Sequence, residues 1–85
     1  MIPPANQFGP WRQGIDPAER LARLRSMRAI ARLTLGPRGE AFVQALHHAE
    51  TNPNHLEPAL RHLDALAATD RRHVLASFAR LHRPA

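Results

Sequence analysis

Gly36-Pro37 and Asn52-Pro53 restrict this chain more than any other feature. Glycine ends a helix and proline cannot continue one from its interior, and both pairs stand between stretches whose apolar residues recur at helical spacing. No single helix can run the length of the chain. Asp16-Pro17-Ala18-Glu19 marks the first start: an aspartate cap, proline at the first helical position, and a glutamate three residues on that can reach back to the cap. Asn54 with Glu57 repeats the capping pattern, and Thr69-Asp70 caps a last segment. These signals predict helices over 17–35, 37–51, 55–67 and 69–82, joined by connections short enough to force neighbours to pack antiparallel or at a sharp angle. β-branched residues are scarce and no Asn-Gly or Asp-Gly turn occurs, so no strand pattern competes. The fold expected is all-α: a compact four-helix array with a long first helix as its spine and three short ones.

On a helical wheel Leu24, Met27, Ala31, Thr34 and Leu35 share one face of the first helix, the pattern of a core-facing amphipathic segment. Phe42, Ala45, Leu46 and Ala49 do the same in the second, Leu56, Ala59, Leu60, Leu63 and Ala67 in the third, and Val74, Leu75, Phe78 and Leu81 in the fourth. From these faces Leu24, Ala31, Phe42, Leu46, Leu60, Leu63, Val74 and Phe78 are expected to be buried together. Residues 1–15 lack periodicity and carry Pro3, Pro4, Gly9, Pro10 and Gly14, which predicts an extended or mobile arm ahead of a helical domain over 16–85. Phe8 and Trp11 are out of place in a plain linker. Either they fold back to cap one end of the core, or they anchor a partner or a neighbouring subunit.

A chain of 85 residues has room for one domain and buries a modest share of its surface. An apolar face of the first helix left partly uncovered by so small an array would favour a homo-oligomer. With no cysteine, neither disulfide nor thiolate chemistry is available. No apolar stretch approaches the roughly 20 residues needed to cross a bilayer, and no signal-peptide pattern opens the chain, so it reads as a cytoplasmic, non-membrane protein.

Catalytic arrangements are missing from the sequence. Ser26 and Ser77 fall inside predicted helices rather than on an activating turn, and the carboxylates stand mostly at helix starts, where capping explains them. His47, His48, His55, His62, His73 and His82 show no helical pair with a third ligand nearby; His55 and His62, joined by His47 or His48, are the nearest approach to a metal set. No enzyme activity, metal or cofactor is expected. Gly36-Pro37-Arg38-Gly39 is too short for a phosphate-cradling loop, although Arg38 could meet a phosphate at the start of the second helix.

Charge placement is more informative. All twelve basic residues are arginine, a usage that a GC-rich genome explains as readily as any chemistry. Residues 1–38 hold seven arginines against Asp16 and Glu19, a net +5, whereas residues 39–85 hold five arginines against five carboxylates. Arg25, Arg28 and Arg32 recur at spacings of three and four along one side of the first helix, with Arg20, Arg23 and Arg38 toward its ends. Few acidic residues stand in i, i+4 register to neutralise this stripe. Such a face suits either the phosphates of duplex DNA, bound without sequence preference, or an acidic protein.

In its small size, helical architecture and arginine-and-alanine style, the chain resembles the small terminases of tailed phages and gene transfer agents. That resemblance implies a DNA-packaging adaptor that binds DNA, assembles into rings and recruits a motor partner. No recognition helix of a helix-turn-helix is evident, so the resemblance implies weak, non-specific DNA reading.

Overall fold

A computed structural model of the chain describes residues 9–81. Four α-helices account for most of them: α1 (Pro17–Leu35), α2 (Glu40–Thr51), α3 (Leu56–Ala65) and α4 (Ala68–Leu81). There is no strand among the described residues, so the protein is all-α as the sequence implies. Single turns of 3-10 helix precede or link the helices at Gly9–Trp11, Gly36–Gly39 and Pro53–His55.

The start of α1 follows its sequence signal, with Asp16 Oδ1 accepting the Ala18 N–H at 3.0 Å and Pro17 in the first turn. The reciprocal half of the capping box does not form, because Glu19 turns to Arg23 Nε at 3.0 Å one turn along. At the other end Gly36, at φ +58°, donates its N–H to the Arg32 carbonyl and stops the helix. The second helix begins three residues later than expected. Gly36–Gly39 tightens into a 3-10 turn that passes close to α1: a Cβ on Gly39 would lie 2.7 Å from Leu35 Cβ, a separation that only glycine permits.

The next boundary also differs from expectation. Asn52, not Asn54, supplies the cap; its side chain accepts the Asn54 N–H at 2.9 Å and opens the 3-10 turn from which α3 emerges. The third helix ends at Ala65 rather than Ala67, and α4 begins at Ala68. Asp70, expected to cap with Thr69, lies inside the first turn of α4 and takes both Nε and Nη2 of Arg38 at 3.3 and 2.9 Å, tying the α1–α2 turn to α4. The predicted last helical residue, His82, falls outside the described residues.

α1 is the spine, packed against α2 on one side and α4 on another, while α3 packs on α2. One core unites Trp11, Leu24, Met27, Ile30, Ala31, Leu35, Phe42, Val43, Leu46, Ala49, Ala59, Leu63, Val74 and Phe78. Seven of the eight predicted core residues are in it; Leu60 is half-buried and packs against its edge. Ile30 takes the place on the α1 stripe that the wheel gave to Thr34, which is half-buried.

Within the predicted extended or mobile arm, the described residues from Gly9 onward are not extended. Gly9–Trp11 curls against α1, Trp11 is buried, and its indole N–H donates to the Leu56 carbonyl at 2.8 Å. A large aromatic with its one polar atom satisfied gains by covering the core, so Trp11 is a structural cap rather than an exposed partner anchor. Phe8, proposed with it, lies outside the described residues. Gly9 adopts φ +49°, and a Cβ there would lie 3.2 Å from Phe78 Cε1. Gly9→Ala is expected to cost about 1–2 kcal/mol, the usual penalty for a left-handed L-residue. Urea unfolding monitored by Trp11 fluorescence measures it, and an unchanged midpoint would show that the turn does not hold this conformation.

Coverage of α1 bears on self-association. Leu24, Met27, Ile30, Ala31 and Leu35 are all buried within the monomer, so the uncovered apolar stripe that made a homo-oligomer attractive is not there. Among the described residues the exposed large apolar side chains are Leu33, 87% exposed, and Leu81, which was expected in the α4 stripe. Isolated residues of this kind are ordinary on a protein surface.

Candidate anion-binding interface

Six arginines are candidates for contact with an anionic partner, and the fold sorts them into three groups. Arg20 and Arg23 serve the N-terminal turn. Arg20 donates from Nε to the Pro10 carbonyl at 3.0 Å and from Nη2 to the Arg12 carbonyl at 2.7 Å; Arg23 Nη1 donates to the Gly9 carbonyl at 3.1 Å while its Nε pairs with Glu19. The Gly9 carbonyl also accepts the Arg12 N–H at 3.3 Å, and the guanidiniums add further hydrogen bonds to the carbonyls of this turn, so both stabilise the position of Trp11. Arg38 is held by Asp70, although much of its side chain faces solvent.

The remaining three, Arg25, Arg28 and Arg32, lie together on the side of α1 that borders α2. At a rise of 1.5 Å per residue the outer two are about 10 Å apart along the helix. Here the structure adds two residues that the sequence did not place with this stripe. Glu50, near the end of α2, stands between the first two arginines, with Oε1 3.5 Å from Arg25 Nε and Oε2 2.8 Å from Arg28 Nε. His47, one turn earlier on α2, has Nδ1 3.0 Å from Arg28 Nη1; the guanidinium donates and a neutral ring accepts through that nitrogen. His47 Nδ1 is also 4.0 Å from Glu50 Oε2.

A sequence signal for these contacts does exist. In an antiparallel helix pair, residues equally far from the connecting turn stand level with each other. Arg25 and Glu50 are equidistant along the chain from the Pro37–Arg38 turn, and so are Arg28 and His47. Intrahelical i, i+4 spacing alone misses them.

Burial within this group is uneven. The Glu50 side chain is 7% exposed, whereas that of Arg25 is 64% exposed and that of Arg28 about a quarter. Although Glu50 Oε2 is close to Arg28 Nε, no N–H is aligned on it as a hydrogen-bond donor. Arg32 is exposed, and its guanidinium makes no hydrogen bond or ion pair with any described residue. The face therefore presents three guanidiniums beside one recessed carboxylate, an excess of positive charge whose outermost member is unpaired among the described residues.

Comparison with known protein families, curated proteins and solved structures finds no match.

Other surfaces offer less chemistry. Of the histidines suggested for a metal, His48 and His55 approach, their ring centroids 5.6 Å apart and nearly edge to face, with the His47 ring 6.3 Å from that of His48. Among the described residues no three histidine or carboxylate side chains converge as metal ligands, and no helix is long and apolar enough to cross a membrane.

Proposed function

We propose that this protein is a small, non-catalytic, DNA-associated adaptor whose α1 face of Arg25, Arg28 and Arg32 contacts phosphates of duplex DNA without sequence preference. The observation that carries this reading is the alignment of three guanidiniums along one helix side, with Arg32 unpaired among the described residues and Arg25 mostly in solvent. Phosphate contacts need reach and charge more than a shaped pocket. Arg20, Arg23 and Arg38 support the interface by fixing the turn before α1 and the turn after it rather than by touching DNA. The likeness to small terminases extends the proposal to DNA packaging, with recruitment of a motor as the adaptor role. An activity on DNA also fits the cytoplasmic reading of the sequence. Self-association is left out of the proposal, since the apolar face that argued for it is buried.

Fluorescence anisotropy with short duplexes of unrelated sequence tests the reading. Affinities should agree across sequences and fall with salt. Three arginines meeting phosphates at full strength set an upper limit of about −2.7 for the slope of log K against log salt, a loss of about 40-fold between 50 and 200 mM.

The competing reading is an acidic protein partner. It has its own support: Arg25 and Arg28 already flank a carboxylate, so the face can accommodate an aspartate or glutamate side chain. Failure to bind DNA at low salt, where phosphate contacts are strongest, would select this partner instead.

A further inference from the structure

The face that would meet phosphate already contains an anion. We propose that Glu50 is an internal counter-ion that competes with incoming phosphate for Arg25 and Arg28, holding the affinity of the α1 face below what its arginines could deliver. This inference rests on the phosphate-binding reading above and names a residue that sets its strength.

Three observations support a competing role. Glu50 lies in the recess between α1 and α2, so its charge is screened by solvent less than that of a surface carboxylate. Both its oxygens face guanidinium nitrogens, and the alignment on Oε2 is poor, so the pair is less than fully satisfied as it stands. Arg25, anchored beside Glu50 but 64% exposed, has room to turn outward to a phosphate while its stem stays on the helix. Arg28 is bound more closely, by Glu50 and by His47. A phosphate arriving at this face gains the attraction of three arginines and meets the repulsion of one carboxylate below them. Arg32, beyond Glu50's reach in the structure, is free to act at full strength.

A purely structural Glu50 makes a different forecast. If its only role were to fix the α1–α2 register, Glu50→Gln would lower stability and leave affinity unchanged or weaker. As a competitor, its neutralisation raises affinity. A unit charge about 7 Å from a phosphate, at an effective dielectric of about 35–75 where the phosphate stays in solvent, corresponds to an increase of roughly three- to tenfold.

The test compares the unmodified protein, Glu50→Gln and Glu50→Gln combined with Arg25→Ala and Arg28→Ala, all at one pH. Duplex DNA affinity should rise roughly three- to tenfold in Glu50→Gln, with a steeper salt slope, and the gain should vanish in the combined variant. Equal or weaker binding by a folded Glu50→Gln overturns the proposal. Inorganic pyrophosphate provides a readout independent of DNA, followed by NMR at the Nε–H groups of Arg25 and Arg28. Tighter pyrophosphate binding by Glu50→Gln supports the competition even if no variant binds DNA, an outcome that would remove the DNA reading alone. Unchanged pyrophosphate affinity removes the competition. If Glu50→Gln fails to fold, Glu50→Asp answers the same question: its shorter carboxylate retracts from the guanidiniums, and a phosphate affinity no higher than that of the unmodified protein counts against competition.

Discussion

Phe78→Ala should destabilise the protein by about 3–5 kcal/mol, the range for removing a buried aromatic and leaving a cavity. For a chain of this size that is much of the total stability, since small domains seldom exceed 5–15 kcal/mol and often lie at the lower end. Phe78 is buried where three parts of the fold meet: it extends from α4 to Gly9 of the N-terminal turn, which Met27 of α1 also approaches. Its loss therefore removes contacts between α1 and α4 and also the surface on which the N-terminal turn rests. Circular dichroism should show a lower melting temperature, and Trp11 emission should report exposure of the indole in the same transition. A loss below about 1 kcal/mol would mean that Phe78 does not face the core.

The parts of this fold that could be read from sequence are those decided by local chemistry. Asp16-Pro17 and Gly36 bound α1 because capping oxygen, proline and left-handed glycine each act within a few residues. Helical spacing of Phe42, Leu46, Leu63, Val74 and Phe78 found the core because burial of one helix face requires it. What went unread depended on distant parts of the chain. Gly36–Gly39 forms a 3-10 turn because the backbone must pass Leu35 closely, and Asp70 is drawn to Arg38 across the fold rather than to its own helix start. That Trp11 folds back to cap the core was one of the two sequence readings, but its indole partner, the Leu56 carbonyl on a distant element, was not legible.

The candidate site was legible to a similar degree. The alignment of Arg25, Arg28 and Arg32 follows from helical geometry, but their neutralisation does not. The sequence suggests a bare positive stripe because no carboxylate sits one turn away on α1, and the structure answers with Glu50 from the facing helix. Arg20 and Arg23 look like an extension of the stripe until the N-terminal turn is seen to take their N–H groups. One physical consequence distinguishes the three central arginines. Arg32→Ala should flatten the salt slope of DNA binding by about 0.9, whereas Arg25→Ala and Arg28→Ala should each flatten it by less, since part of their charge is already spent on Glu50.

Removing all three arginines at once carries the largest functional effect. With about three phosphate contacts gone, the electrostatic share of non-specific affinity goes with them, and binding that is measurable near 50 mM salt should fall below detection. Helix α1 should survive, because alanine is the better helix former and the apolar face of Leu24, Met27, Ile30, Ala31 and Leu35 is untouched. Glu50 loses both of its cations in this variant and is left in the recess unpaired, so a modest drop in melting temperature is expected alongside retained helicity.

The most direct measurement is therefore duplex DNA affinity over a salt series for the unmodified protein and for Arg25→Ala/Arg28→Ala/Arg32→Ala, with circular dichroism on the same samples. The account predicts sequence-independent, salt-sensitive binding by the first and none by the second, at equal helicity. DNA binding that persists in the folded triple variant with its salt slope unchanged would contradict it and move the interface to other arginines, with Arg72 and Arg80 on the exposed side of α4 the next to replace.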